Sequence, residues 1–183
     1  APKGDITLTG DEAHKIVSSD GQALVDRFWG RYVAFLPSWT GEPHVLRDPT
    51  GTLPCYRVEL KGVVIALSWL EDLIMLLDLP TPPLSWDAVA ACMVFGRLGG
   101  RETALTGVTQ VLAGELTPLS IAAGKAHKVW DAVDIARRAA DFTPQEAESL
   151  LRETTMHCAQ SWASCYDSIV LRLSGGVDSA ILL

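Results

Sequence analysis

Apolar positions recur first at helical and then at strand spacing along this chain. After Asp11, which can cap a helix, Ala13, Ile16 and Val17 give a partial apolar stripe that Ser18 to Gly21 interrupts. Gln22 to about Trp29 predicts a second short helix, with Leu24, Val25 and Phe28 sharing a face. From Arg31 the period is that of a strand. Tyr32 to Leu36 is one apolar run that Pro37 and the SWTGEP turn halt, and His44 to Arg47 predicts a further strand. Beyond the DPTG turn, Cys55 to Leu60 and Val63 to Leu67 flank Gly62, so that short polar turns and short apolar runs together predict a β-meander. Leu70 to Leu79 predicts a helix that Pro80, Pro82 and Pro83 end.

Ser85 to Phe95 predicts another helix, capped by Ser85, with Trp86, Val89, Ala90 and Met93 along one side. The segment GRLGGRET at 96 to 103 carries Arg97 and Arg101, but with no strand before it and no helix after it the better reading is a connector rather than an anion site. Strands are expected at Val108 to Leu112 and Glu115 to Ile121 around Gly114, then a turn at Ala122 to Lys125 and a strand at His127 to Trp130. Regularity is weakest over Ala132 to Phe142, where Arg137, Arg138 and Asp141 break the apolar pattern. Thr143, Pro144, Gln145 and Glu146 then form a capped, proline-started entry to a helix reaching about Ala163. The expected organisation is an α+β body over 1–131, a connector over 132–142, and over 143–183 the beginning of a doubly wound α/β domain.

Composition narrows the class. With 183 residues, 48% hydrophobic, 20% charged and mean hydropathy +0.20, the chain can bury a sizeable core. Its net charge of −7 and pI near 5.0, without a basic stripe, argue against a nucleic-acid partner. Runs such as Val63 to Leu67 and Leu73 to Leu77 fall short of the roughly 20 apolar residues that span a bilayer, and APKGDITLTGDE lacks the layout of a signal peptide. No membrane partner is expected, and the location expected is cytoplasmic. Cys55, Cys92, Cys158 and Cys165 stand singly, without the spacing of a zinc site, and are expected as reduced thiols. Adjacent helical residues diverge, so His157 and Cys158 are not expected to share a site. His14, His44 and His127 read as surface or satisfied core histidines.

The chemistry lies in DSIVLRLSGGVDSAILL, from Asp167 onward. Ser168 to Leu173 is the apolar run expected of a strand buried in a parallel sheet, Gly175 and Gly176 allow a tight turn, and Ala180 to Leu183 begin a helix. Neither GxGxxG nor GxxxxGK[ST] fits these residues. SGGxDS does: Ser174, Gly175, Gly176, Val177, Asp178 and Ser179 match the pyrophosphate loop of ATP pyrophosphatases at every position. Backbone N–H groups and the hydroxyls of Ser174 and Ser179 can donate to pyrophosphate oxygens, Arg172 and Leu173 lead into the cradle, and Asp178 can hold a Mg²⁺ ion. The bland alternative is an ordinary turn in which Asp178 or Ser179 caps the helix.

The order of features resembles the asparagine synthetase family, in which a glutaminase-type domain precedes a synthetase domain carrying SGGxDS. GQALVDRFWGRYVAF, Gly21 to Phe35, is similar to the segment leading into the family's G-x-[FY]-A-[FL] strand; LRDPTGTLPCY, Leu46 to Tyr56, resembles its RDxxGxxPLYY turn; and Ala66 to Leu77 resembles its AS-E-L-ALL strand and helix. The resemblance implies a degenerate Ntn-type glutaminase-like domain followed by a synthetase domain, with ATP and Mg²⁺ as cofactors. It also implies an ATP-dependent ligase that forms AMP and pyrophosphate. Glutamine-hydrolysing members use an N-terminal cysteine, whereas residue 1 here is alanine and the first cysteine is Cys55, so loss of the glutaminase activity is expected. Pro54-Cys55-Tyr56 in place of PLY is similar to the branch that builds lasso peptides, in which a precursor-peptide carboxylate is adenylated and the peptide's own N-terminal amine attacks. The implied partners are a precursor peptide or small carboxylate, together with other biosynthetic proteins. Asparagine synthetases, β-lactam-forming relatives and a non-catalytic binding module are the alternatives. With the general base expected beyond Leu183, the chain by itself is expected to be inactive.

Overall fold

The computed structural model describes residues 7–37, 41–78, 80–96, 100–121, 125–138 and 140–182. The parts of the expected turns at 38–40 and 122–124, Leu79, and Arg97 of the connector lie outside them. The chain divides into two compact units, Thr9–Ile135 and one built chiefly from Ala136–Leu183. The first is an α+β unit with antiparallel sheets.

Its opening helix α1 (Gly10–Ser18) is capped by Thr9 rather than Asp11. Thr9 accepts from the Glu12 N–H while Glu12 reaches back to Thr9, a reciprocal capping box that satisfies two otherwise orphaned donors. Helix α2 (Gln22–Arg27) follows after a turn through Gly21. Ile16 and Leu24 are the buried members of the two helical faces. Strand β1 (Val33–Leu36) pairs antiparallel with β2 (His44–Arg47), matching Val33 with Arg47 and Leu36 with His44. Likewise β3 (Tyr56–Leu60) pairs with β4 (Val63–Leu67), Leu60 opposite Val63 across a tight turn.

The two hairpins do not form one meander. Strand β2 pairs next with β6 (Glu115–Pro118), which pairs with β7 (His127–Lys128), giving one sheet of order β1-β2-β6-β7. Strand β3 pairs with β5 (Val108–Gln110), giving a second sheet of order β4-β3-β5. The DPTG turn is thus a crossing between sheets, and distant strands rather than sequence neighbours complete each ladder. Several strands are shorter than the apolar runs suggest because pairing, not hydrophobicity, limits them. Leu112, Leu119 to Ile121, and Val129 with Trp130 lie outside the ladders, as do Tyr32 and Cys55.

Alternation along the strands sorts the core into three clusters. Leu36, Leu46 and Leu116 face Ile16 and Leu24 of the opening helices. From the opposite side of the same sheet, Val45 meets Cys55 and Val111. In the second sheet Val58 and Val108 meet Leu73 of α3 (Leu70–Leu77), a helix that ends with Asp78 in the left-handed region. Helix α4 (Trp86–Phe95) has the expected Ser85 cap, but no residue of its expected stripe is buried, and Trp86 and Met93 are exposed. Helix α5 (Ala132–Arg137) occupies part of the expected irregular connector, with Asp131 accepting from the Val133 N–H at its start.

In the second unit, α6 (Pro144–Ser164) realises the expected entry, with Thr143 and Glu146 forming a second capping box. The chain then runs through residues 168–173 without joining a sheet, so the strand expected at Ser168 to Leu173 is not formed. Among the described residues its own unit contains no strand, and a ladder requires a partner for its N–H and C=O groups. The closing helix α7 (Val177–Ile181) starts ahead of the expected Ala180. No described residue from 136 onward is buried. Among the described residues no helix is long and apolar enough to cross a membrane.

Candidate functional site

Residues 172–179 form one continuous loop and helix start, exposed except for the half-buried Ser179. Arg172 and Leu173 lie in the extended segment, Ser174 to Gly176 make the turn, and Val177, Asp178 and Ser179 occupy the first turn of α7. Gly175 has φ +82°, and a Cβ built on it would meet nothing within 4 Å, so glycine serves the backbone conformation and not a close neighbour. The two hydroxyls converge. Ser174 Oγ and Ser179 Oγ are 3.2 Å apart, the Ser174 N–H donates to Ser179 Oγ at 3.3 Å, and the Gly176 N–H donates to Ser174 Oγ at 3.3 Å. Ser179 Oγ donates in turn to the Gly176 carbonyl at 3.1 Å.

The cap residue is Gly176, which has no side chain to offer, so neither Asp178 nor Ser179 caps α7 in the manner of an ordinary turn. Asp178 is exposed on the first turn, where a carboxylate is favoured by the helix dipole. The set suits a magnesium polyphosphate: N–H and hydroxyl donors for phosphate oxygens, and one hard carboxylate oxygen for the metal. In the same unit the wall of α6 and the chain after it enclose an apolar groove of about 560 Å³, lined by Cys158, Trp162, Tyr166, Ile169, Leu171 and Leu182 among others. Sequence periodicity gives no sign of this groove, because Tyr166, Ile169 and Leu171 of its lining come from a segment without a regular repeat.

The RDPTG turn, matched in sequence as a resemblance only, is densely hydrogen-bonded. Asp48 is fully buried. Its carboxylate accepts from the N–H groups of Thr50 at 2.8 Å, Gly51 at 3.0 Å and Tyr32 at 3.3 Å, and from the Thr50 hydroxyl. Arg47 spends its guanidinium on carbonyls, with Nη1 donating to Val111 at 2.7 Å, Nε to Leu53 at 2.8 Å and Nη2 to Gly51 at 2.5 Å. Both side chains therefore fasten backbone at the crossing between sheets, and neither is aimed at a ligand.

Two groups beside this turn are chemically quiet. Burial, only partly opposed by the Arg47 charge, pushes the Cys55 thiol up to about 11, which leaves little thiolate at neutral pH and removes it as a nucleophile. Burial, and then the Asp48 charge, pushes the Tyr32 phenol up to about 12, and its enclosed hydroxyl finds no hydrogen-bond partner among the described residues. All four cysteines are free, Cys55 buried and the others half-buried. In the connector, Arg101 is tied to the buried carboxylate of Glu115. Its charge is thereby used within the fold. No protein-family model matches the chain, and no curated protein matches it.

Proposed function

We infer that this chain belongs to an ATP-dependent amide-forming ligase of the asparagine synthetase type, in which residues 172–179 hold the departing pyrophosphate. The observation that carries the reading is the unbroken SGGVDS match on a glycine turn that opens a helix, with both serine hydroxyls converging at 3.2 Å. The α+β body and its RDPTG crossing support the same assignment, as a degenerate Ntn-type domain ahead of a doubly wound synthetase domain. Within this proposal the protein is cytoplasmic.

In the proposed reaction a substrate carboxylate oxygen bonds to the α-phosphorus of ATP while the bond to the bridging oxygen breaks, and pyrophosphate leaves. An amine nitrogen then bonds to the acyl carbon, AMP leaves, and the amine gives up a proton. Ser174, Ser179 and the adjoining N–H groups would receive the pyrophosphate oxygens. Asp178 would hold Mg²⁺, which supplies charge neutralisation when bound. For the amine we favour the N-terminus of a precursor peptide, as in lasso peptide cyclases, since Pro54-Cys55-Tyr56 stands where the glutamine-hydrolysing pattern has PLY and Cys55 is buried and protonated. Ammonia, as in asparagine synthetases, is the second reading.

Asp178→Ala in the full-length protein is expected to lower substrate-dependent pyrophosphate release by about 10²-fold or more, the scale of losing one preorganised electrostatic contact. Unchanged release would refute the enzyme reading and leave a binding module. Glutamate released from added glutamine would refute the peptide-amine reading and favour the ammonia-using one.

A further inference from the structure

Strand β4, VVIAL, pairs with β3 on one side and ends the sheet order β4-β3-β5 on the other. At the opposite end of that sheet the edge is covered: the Gln110 N–H of β5 donates to the Arg101 carbonyl at 2.8 Å, and Thr109 forms a bridge with Glu102. Along β4 there is no charged residue, no proline and no bulge, the devices that keep an open edge from pairing. Val63 at its start is 60% exposed.

The turn fixes which backbone groups face outward. Lys61 and Gly62 both have positive φ, +49° and +82°, as in a two-residue type I′ hairpin, whose flanking residues exchange both hydrogen bonds. Leu60 and Val63 are therefore a bonded pair, and alternation makes Val58 with Ile65 and Tyr56 with Leu67 the next ones. The N–H and C=O groups of Val64 and Ala66 point away from β3, and none of them meets a partner among the described residues. A row of such groups is satisfied by another extended backbone.

We propose that β4 pairs antiparallel with β4 of a second copy of this chain, about a two-fold axis at Ile65, joining the two three-stranded sheets into one. Val64 of each copy then stands opposite Ala66 of the other, and each such pair exchanges both hydrogen bonds, so no outward group of the two residues is left over. On the α3 side, where Ile65 and Leu67 already pack, Ile65 meets its own copy and Val63 meets Leu67. The ends of the edge are complementary in charge. Antiparallel pairing sets the exposed Lys61 turn of one copy beside Trp69 of the other, where α3 begins with exposed Glu71 and Asp72. Among the described residues none of these three charges is in an ion pair. In-register parallel pairing would instead set Lys61 beside Lys61 and Glu71 beside Glu71. An unrelated extended peptide would meet the same backbone but no charge on β4 to select it. The pairing uses no residue of 172–179 and needs no nucleotide.

The test uses the whole chain without ligand. Sedimentation equilibrium should show a monomer–dimer equilibrium that weakens with salt. Hydrogen exchange should show protection of amides 64 and 66 that grows with protein concentration, whereas amides 65 and 67, bonded to β3 in either state, are protected throughout. Val64→Pro removes an outward donor that makes no bond within the chain, at a position where an edge strand accepts proline, and should raise the dissociation constant about tenfold or more. Val64→Thr keeps that donor and should leave the constant within about twofold. Lys61→Glu should weaken the dimer about threefold or more, and adding Glu71→Lys to it should restore the pairing. Each variant is checked for native circular dichroism. A chain that stays monomeric up to about 1 mM would overturn the proposal. So would protection of amides 64 and 66 already complete in dilute solution, concentration-dependent protection centred elsewhere, a folded Val64→Pro chain that dimerises as tightly, or no rescue of Lys61→Glu by Glu71→Lys.

Discussion

Replacing Asp48 by alanine should destabilise the first unit more than removal of any surface carboxylate. The side chain is fully buried and accepts three backbone N–H groups and one hydroxyl. Alanine leaves the Tyr32, Thr50 and Gly51 donors without that acceptor. An unsatisfied buried donor costs about 1–3 kcal/mol, but Thr50 lies near solvent and water can serve it, so the expected loss is about 2–4 kcal/mol. That is a large part of the 5–15 kcal/mol typical of a domain. Asparagine separates the causes. Its carbonyl can keep the bonds to Thr50 and Gly51, while its amide would turn a donor towards the Tyr32 N–H, so about half the loss should remain. Urea unfolding followed by tryptophan fluorescence measures both, read as a shift in midpoint with little change in slope. A loss below about 1 kcal/mol for Asp48→Ala, or equal losses for the two variants, would refute this account of the turn.

The Tyr32 phenol, pushed up to about 12, binds its proton more tightly in the folded protein, so its share of stability is present below the ordinary tyrosine value of 10.0 and is lost as pH rises towards 12. Because the ring is only half-buried, solvent screening reduces that share to the order of 1 kcal/mol. Tyr32→Phe should flatten the alkaline limb of a stability–pH curve and cost little at pH 7, since it also removes an unpaired hydroxyl. Gly51→Ala should cost about 2 kcal/mol or more, since φ is +60° and the added methyl would stand 2.9 Å from Ala113 Cβ, a loss measurable by the same unfolding assay. At the start of α6, Glu146 is held below its ordinary value of 4.5, first by the Thr143 N–H and then by the Thr143 hydroxyl. The support it gives is present above 4.5 and lost as pH falls through the lowered value, so the protection factors of amides 146–147, taken relative to their intrinsic exchange rates, should fall in acid, and Thr143→Ala should remove that dependence.

The expectations that hold in this structure are the ones set within a few residues. The Thr143 box and the Ser85 cap follow from side chains that meet backbone partners three residues away, and the turn at Gly62 closes a hairpin between neighbouring strands. The first cap lands on Thr9 rather than Asp11 for the same local reason: Glu12 stands three residues after Thr9, and the reciprocal pair outweighs a lone carboxylate. Sheet membership is different. Nothing within LRDPTGTLPCY distinguishes a meander from a crossing, because the answer lies in β5 and β6, more than fifty residues later, which supply the edges that β3 and β2 take. The buried Asp48 is legible only as part of a pattern, since a carboxylate before a proline reads equally well as a solvated turn residue.

The SGGVDS loop joins both cases. Its turn, helix start and hydroxyl pair are local, and they form here as the SGGVDS spacing requires. Its strand is not local. Apolar residues at 168–173 state a preference for burial, but a strand is a relation between two segments, and Val170 at 96% exposure shows that preference without a partner. The donors of the loop keep their geometry without that pairing, because they are fixed by one another: Ser174 by Ser179 and Gly176 by Ser174. A ligand taking those oxygens and N–H groups must replace bonds the loop already makes with itself. Ser179→Ala, which removes the hydroxyl at the centre of that network, should thus disorder the turn before any phosphate is added, visible as faster amide exchange at 174 and 176, and unchanged exchange there would refute the self-bonded loop.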